Sequence, residues 1–377
     1  MSVYAGPEFN ESGLVYYHDM NNRKSYAGAP TTNHVPNADT MPGWTTYGGT
    51  PVAFQTEFGT TGYRMTNAPS WNGIYRGITI PSTGVYTFSV WARYLGGSPN
   101  NNGGGVYISG WGGSDSASVT NRTQIGQWQR LTITLNCTTT SMTFYLISYG
   151  GTNDGNSDRS SWEVTMPQAE AGSVATTFVA GTRSNTQVLR DLTSRNVITA
   201  NSLTYNANNT FSFNGSTDFL SIPNTQLGNG NIPWTVSCWM RTTTTTNDLG
   251  HGSILSNISS GPVYSAMGVN SGRIVYWTYQ NSAWSQKLGV RTVNDNNWHM
   301  LTWVNYANST MDMYVDGVID ANVANSTSGN NNPVDVIGRS WAAYFPGSIP
   351  VLKRYDRALS SAEIFSNFTA SRLRYGI

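Results

Sequence analysis

The chain has 377 residues, of which 11% are charged and 12% aromatic, and its formal net charge is +1. That length supports two domains with separate cores. A nearly neutral chain with no basic run or stripe offers nothing to nucleic acid or to an anionic membrane surface. Ordinary domains are about 25% charged; here Gly, Asn, Ser and Thr fill the deficit beside 13 Trp and 21 Tyr, a mix that favours short strands and polar turns over helices.

The first residues, MSVYAGPEFNESG, have neither the basic nor the apolar region of a secretion leader, so none is expected. Residues 1–12 are polar, contain Gly and Pro, and show no helical period; this arm is expected to be disordered alone and to order on a partner. LVYYHDM, Leu14 to Met20, reads as a strand. Asn21 to Trp44 is then polar, rich in Pro and Gly, and too long for an ordinary turn. With Gly13–Met20 it makes up a segment 13–44, a first strand plus linker.

From Thr50 the pattern becomes strict alternation. GIYRGITIP, GVYTFSVWARY, WQRLTITLN, SMTFYLISYG and WEVTMPQAEAG each have period two and are bounded by Gly, Asn or Pro. Strands at this spacing with no helix between them indicate an antiparallel sandwich or jelly roll, placed at 45–184. QAEAGSVATTFVAGTRS, Gln168 to Ser184, carries the chain out of it. A second series follows over 185–377, including NTFSFNG, DFLSIP, WTVSCWMRT, GRIVYWTY, WHMLTWVNY, TMDMYVDG and PGSIPVLKRYD. It ends in one helix, SSAEIFSNFTASRLR, where Ser360 stands at capping-box spacing from Glu363 and Ile364 shares a face with Phe368. The fold class is therefore all-β: two antiparallel β-sandwich or jelly-roll domains with one short C-terminal helix. No run is apolar for the roughly 18 residues of a membrane span. Cys137 and Cys238 fall in different halves and in strand-like runs, which excludes a disulfide scaffold and reads as two buried thiols.

FNGSTDFLSIP, WTVSCWMRT, NNWHMLTWVNYANSTMDMYVDG and FPGSIPVLKRYDRALSSAEI resemble the strand signatures of the laminin-G-like, or concanavalin A-like, jelly-roll family, with Trp298, His299, Tyr314, Asp316 and Gly317 at matching positions. The first block is similar, through its strand pattern and closing PQAEAG, to a carbohydrate-binding-module jelly roll. ESGLVYYHDMNNRKSYAGA, QAEAGSVATTFVAGTRS and RYDRALSSAEIFSNFTASRLRYGI resemble segments of tailed-phage virion proteins. Laminin-G-like folds commonly open on a strand like GLVYYHDM directly before the rest of the jelly roll. Here 165 or so residues intervene (from Met20 to about Asn185), so the resemblance implies that the first sandwich is inserted into the second, with SIPVLKRYD as partner of the opening strand. The alternative is two domains in series, with Leu14–Met20 in the first domain or in a free arm.

Candidate chemistry is sparse. Retaining glycanases need two carboxyl groups about 5–5.5 Å apart, and no Glu-x-Asp-x-x-Glu run supplies them. Asp316 with Gly317 reads as a hairpin turn, Asp154 and Asp158 as loop residues, Glu163 as a lone acid beside Trp162, and His299 as a packed strand residue. His251 lies in a polar loop, and the four His are scattered, so no metal cluster or cofactor is expected. The oxygen-rich loops at Asp218 and Asp248 are those that offer ligands to a calcium ion. Trp71, Trp111, Trp284 and Trp341 lie among turn residues and are the candidates for contact with a glycan or another subunit. Trp91, Trp128, Trp234, Trp239, Trp298 and Trp303 lie in strands or signature positions and read as core.

The resemblance implies a non-enzymatic phage virion surface protein made in the host cytoplasm: a tail fibre or receptor-binding component, or a head decoration or fibre. Its expected partners are other virion proteins in a multi-copy assembly and host cell-surface glycans, with neither nucleic acid nor membrane insertion. A glycan-binding adhesion module is the alternative, and a glycan depolymerase a third reading.

Overall fold

A computed structural model of the chain describes residues 9–69, 72–97, 104–110, 116–120, 125–148, 159–206, 210–226, 232–245, 252–257, 264–280, 283–307, 310–324, 333–340 and 343–377. Nearly all regular structure is antiparallel strand, as period-two patterning requires, and the chain divides into two compact units. One unit comprises 1–28, 185–206 and 210–377; the other is essentially 29–184. Among the described residues no helix is long and apolar enough to cross a membrane.

The C-terminal unit is a sandwich of two seven-stranded sheets. In the first, the Leu14–Asp19 strand pairs with Pro346–Tyr355, which pairs in turn with Trp234–Arg241, then His299–Asn305, Thr310–Val315 and Val318–Ala324. Leu14 faces Tyr355, Tyr17 faces Lys353 and Asp19 faces Val351. The opening strand is thus hydrogen-bonded to the closing one, and the chain between Gly28 and Asn185 is inserted into this sandwich. Asp316 and Gly317, both at positive φ, make the tight hairpin between Thr310–Val315 and Val318–Ala324.

Alternation along WTVSCWMR sends Trp234, Val236, Cys238 and Met240 inward against Leu220, Met267, Ile274 and Tyr276 of the second sheet. Trp303 joins this core and donates its indole N–H to the Val275 carbonyl at 3.0 Å. Trp239 points the other way, where helix α1 (Ser361–Arg372) covers the outer face with Ile364 and Phe368. The helix starts on a complete capping box between Ser360 and Glu363, and Arg357 binds the same Glu363 carboxylate at 2.7 Å.

The inserted unit has two five-stranded sheets. Phe88, Val90, Trp162 and Val164 of one sheet meet Ile74, Ile78, Phe144 and Leu146 of the other, with Phe88 and Phe144 edge to face at 5.9 Å. The strand Ser160–Ala171 is interrupted where Met166 (φ 53) precedes Pro167, and its register to Gly84–Gly97 shifts there, a bulge that tolerates the missing proline N–H. Its first and last strands, Thr31–Thr32 and Thr182–Arg183, run side by side, which is what an insertion needs of its ends.

Two expectations change. Residues 29–44 are part of the inserted unit rather than a linker of the C-terminal one: Val35, Ala38 and Met41 are fully buried in its core, and the Asn33 side chain bonds the Pro167 and Val179 carbonyls and the Ala169 N–H. The segment shows no period because, beyond the two-residue Thr31–Thr32 strand, single backbone and side-chain bonds hold it rather than a long ladder. Residues 9–12 are likewise docked within the C-terminal sandwich: the Asn10 N–H donates to Asn367 at 2.9 Å, its side-chain amide reaches Glu363, and Phe9 packs edge-on against Tyr17. Residues 1–8 lie outside the described part.

Candidate functional site

The outer face of the inserted sandwich's sheet is built from alternation. In GVYTFSVWARY, Phe88, Val90 and Ala92 take the inner register, which leaves Ser89, Trp91 and Arg93 on the outer one. Across the ladder Trp128 stands opposite Arg93, and Arg130 opposite Trp91. Glu163 stands beside Arg93 on the other side, with Arg64 beyond it. Four strands therefore place Trp128, Arg93, Glu163 and Arg64 in one row.

A turn lays a third ring on this row. In TEFGT, Thr56 bonds the Thr60 carbonyl through both its N–H and its hydroxyl at 2.9 Å, and Gly59 takes φ +75, a conformation that favours glycine. This brings Phe58 to 5.7 Å from Trp91 and 5.6 Å from Trp128. Phe58 is 43% exposed, and both Trp are half-buried. The Trp128 indole donates to Glu57 at 2.5 Å, and the Arg93 guanidinium lies over the Trp128 ring at 4.5 Å.

Glu163 is 0% exposed, and its two oxygens each take an arginine: Arg64 Nε at 2.6 Å on one, Arg93 Nε at 2.6 Å on the other. This buried carboxylate fixes both guanidinium groups and is not a free acid. The result is an aromatic surface bordered by fixed N–H donors, the combination that stacks on the apolar face of a pyranose and hydrogen-bonds its hydroxyls. Reading Trp91 and Trp128 as core is corrected here: both share register with Arg residues, a signal present in the alternation itself. Trp298 is also only half-buried, held by Arg241 at 4.8 Å and Tyr375 at 4.9 Å.

Of the four tryptophans expected among turn residues, Trp284 instead lies in the strand Ala283–Thr292; it is 42% exposed and packs at 4.9 Å against Tyr279, its partner across the hairpin of the second sheet in the C-terminal sandwich. Trp71, Trp111 and Trp341 lie outside the described residues, as do Asp154, Asp158, Asp248 and His251. Asp218 is buried and accepts the Asn214 N–H at 3.3 Å and the Thr217 hydroxyl at 3.1 Å, so it closes its own turn. Among the described residues no cluster of three or more metal-ligating side chains occurs.

The remaining acids of interest have local partners. Asp312 accepts the Tyr306 hydroxyl at 2.9 Å and the Asn322 amide at 2.5 Å. His299 bridges Asp316 at 2.8 Å and Asp295 at 3.1 Å. Burial pulls the His299 pKa down, but the hydrogen bonds and charges of the two carboxylates outweigh it and raise it above its ordinary value. Glu170 is buried and accepts Gln168 at 2.6 Å, the Thr176 N–H at 2.8 Å and the Thr176 hydroxyl at 2.7 Å. With Arg183 on Thr176 at 2.9 Å, these bonds hold the segment that leaves the inserted sandwich.

Residues 214–365 match the family described as the concanavalin A-like lectin/glucanases superfamily. The chain is similar to the receptor-binding domain of botulinum neurotoxin C/D mosaic serotype, at 15% identity over 51% of each chain with a TM-score of 0.39. It is similar to botulinum neurotoxin type C, in a structure concerned with two ganglioside molecules, at 14% over 50% of each chain and TM-score 0.39. A third is the binding domain of botulinum neurotoxin DC in complex with rat synaptotagmin II, at 13% over 50% of each chain and TM-score 0.39. The matched part thus spans about half the length of these structures. No curated protein matches the chain. Strand order and core make the C-terminal sandwich an antiparallel jelly roll, and residues 214–365 within it match the concanavalin A-like family model.

Proposed function

We propose that this chain is a non-catalytic, glycan-binding surface protein of a tailed-phage virion, present as a tail fibre or receptor-binding component or as a head decoration. The inserted sandwich holds the glycan on its outer face. The observation that carries the binding half is the Phe58, Trp91 and Trp128 cluster beside the Arg93–Glu163–Arg64 row. Such a surface suits a neutral or weakly polar host-surface sugar, because the rings contribute contact area and the guanidinium groups orient hydroxyls. The Trp284–Tyr279 pair offers the C-terminal sandwich a smaller platform of the same kind.

The non-catalytic reading is supported by the engagement of the acids: Glu163, Glu170, Asp218 and Asp312 are each tied to donors that shape the fold. The virion reading is supported by the likeness of ESGLVYYHDM, QAEAGSVATTFVAGTRS and the C-terminal helix segment to those of phage particle proteins. It implies multi-copy assembly with other virion proteins and no secretion.

Titration of the full chain with host polysaccharide tests the binding half. Trp91→Ala and Trp128→Ala are each expected to weaken binding about tenfold, the loss of one stacked ring, with no reducing ends released by the unaltered protein. Binding that survives both changes discards the platform, and sugar release abolished by one Asp or Glu substitution discards the non-catalytic reading. Imaging of particles with a label on this chain tests the virion half, which falls if the label is absent from them.

A further inference from the structure

A cleft of about 340 Å³ lies in the C-terminal sandwich between helix α1 and the first sheet, lined by Phe9, Tyr17, Asp19, Trp239, Lys353 and Arg374 among others. Lys353 sits mid-strand, with Tyr17 on one neighbouring strand and Ser237 on the other. It is 7% exposed. Its ammonium lies 3.5 Å from the centre of the Phe9 ring and 5.1 Å from that of Tyr17, and among the described residues it meets no hydrogen-bond acceptor.

The adjacent carboxylate does not supply one. Asp19 is held by Arg374 at 2.5 Å, the Tyr17 hydroxyl at 3.1 Å and the Asn21 N–H at 2.9 Å. The ring faces stabilise the ammonium but give it no hydrogen bond, which leaves its N–H donors to an acceptor that enters the cleft. Among the lining residues Lys353 and Arg374 stand against Asp19, and Glu11 beside the cleft also acts on Lys353.

We propose that this cleft is a binding pocket for a small monocarboxylate, with the Lys353 ammonium taking the carboxylate and Phe9 and Tyr17 packing its body. A single carboxylate can take the ammonium with less repulsion from Asp19 and Glu11 than a dianion would meet. The volume lies within the range of small-ligand pockets, about 300–1,000 Å³, and suits a body the size of one sugar ring or a short aliphatic chain.

The groups facing Lys353 also set its pH response. Burial pulls its pKa down to about 7, Asp19 and Glu11 push it up and Arg374 pushes it down. A carboxylate binds the ammonium form, so its affinity holds below about 7 and falls above it, by about tenfold between pH 6 and 8.

Calorimetric titration of the full chain with glucuronate and hexanoate tests this, with glucose, hexanamide and inorganic phosphate as comparisons. The acids are expected to bind, at least tenfold more tightly than their neutral counterparts and than phosphate, and the tighter acid identifies the body. Lys353→Met, which keeps the length and removes the charge, is expected to lose that advantage. Should this variant fail to fold, the unaltered chain still decides: binding of an acid between pH 7 and 8 takes up a proton, seen as a heat that varies with buffer. Acids that bind no better than neutral counterparts, a preference for phosphate, absence of proton uptake, or a folded Lys353→Met protein that binds unchanged would overturn the pocket. Polysaccharide binding, read separately and dependent on Trp91 and Trp128, succeeds or fails independently.

Discussion

Both sandwiches place tryptophan on the outer face of a central sheet, and the two faces have opposite fates. In the C-terminal sandwich Trp239 is buried under helix α1, stacked on Phe368 at 5.8 Å and Tyr375 at 4.2 Å, with its indole N–H on Ser371 at 2.9 Å. In the inserted sandwich, among the described residues, Trp91 and Trp128 meet the Phe58 ring and Trp128 also the Arg93 guanidinium, and both stay half-buried. The strands are equivalent in pattern. What differs is whether the chain spends a helix on the face. Covered, the ring is core; left open beside fixed polar groups, it is available to a ligand.

The contrast is sharpest in stability. Trp239→Ala is expected to cost about 3–5 kcal/mol, the usual range for removing a fully buried aromatic, and urea denaturation monitored in the C-terminal sandwich measures it. A cost near 1 kcal/mol would mean that the helix does not depend on this ring.

Acid separates the two next. His18, in the Leu14–Asp19 strand, is fully buried with Tyr16 Oη at 2.9 Å, and burial pulls its pKa from 6.5 down to about 4. The unfolded chain therefore binds the proton first. The stability due to neutral His18 is whole above pH 6.5 and is lost as pH falls from 6.5 toward 4, by about 3 kcal/mol on a scale of 1.4 kcal/mol per unit. His299 acts with the opposite sign: its raised pKa adds stability at low pH that is lost as pH rises through the folded value. Denaturant midpoints from pH 7 to 4, taken in a His299→Gln background, are expected to fall for the C-terminal sandwich; a flat profile contradicts a buried neutral His18.

Within the inserted sandwich, Glu163→Ala leaves two arginines without their shared carboxylate. Removing one side of a buried ion pair costs about 3–5 kcal/mol; Arg64 is half-exposed and can turn to water, so the expected cost is near the lower end, about 3 kcal/mol. Loss of glycan affinity should accompany it, because Arg93 then no longer holds the Trp128 ring. The smallest effect is expected for Trp91→Ala, about 1 kcal/mol, since that ring is only partly buried. A loss as large as that of Trp239→Ala would erase the distinction between the two faces.

Much of the architecture was legible in residue patterns. Alternation in GVYTFSVWARY and WTVSCWMRT assigns inner and outer registers, and the Ser360–Glu363 spacing marks the start of the one α-helix. The candidate site was legible only in part. Trp91 and Trp128 share register with Arg93 and Arg130, which points outward, yet their position inside strands suggests core. Phe58 carries no periodic signal, because a five-residue turn places it. Lys353 reads as an ordinary strand lysine, and nothing local tells that α1 and Phe9 close over it.

By itself, then, the sequence determined the class of fold: two antiparallel β-sandwiches and a capped C-terminal helix, because strand period and capping depend on neighbours a few residues apart. The tertiary structure alone decided which outer faces are covered and that residues 29–44 pack with the inserted unit, and it chose between the insertion implied by the family resemblance and two domains in series by pairing Leu14–Asp19 with a strand more than 300 residues later. The reason is physical. Period two says which way a side chain points, whereas burial depends on what long-range packing brings to that side, and the chain carries no local record of it.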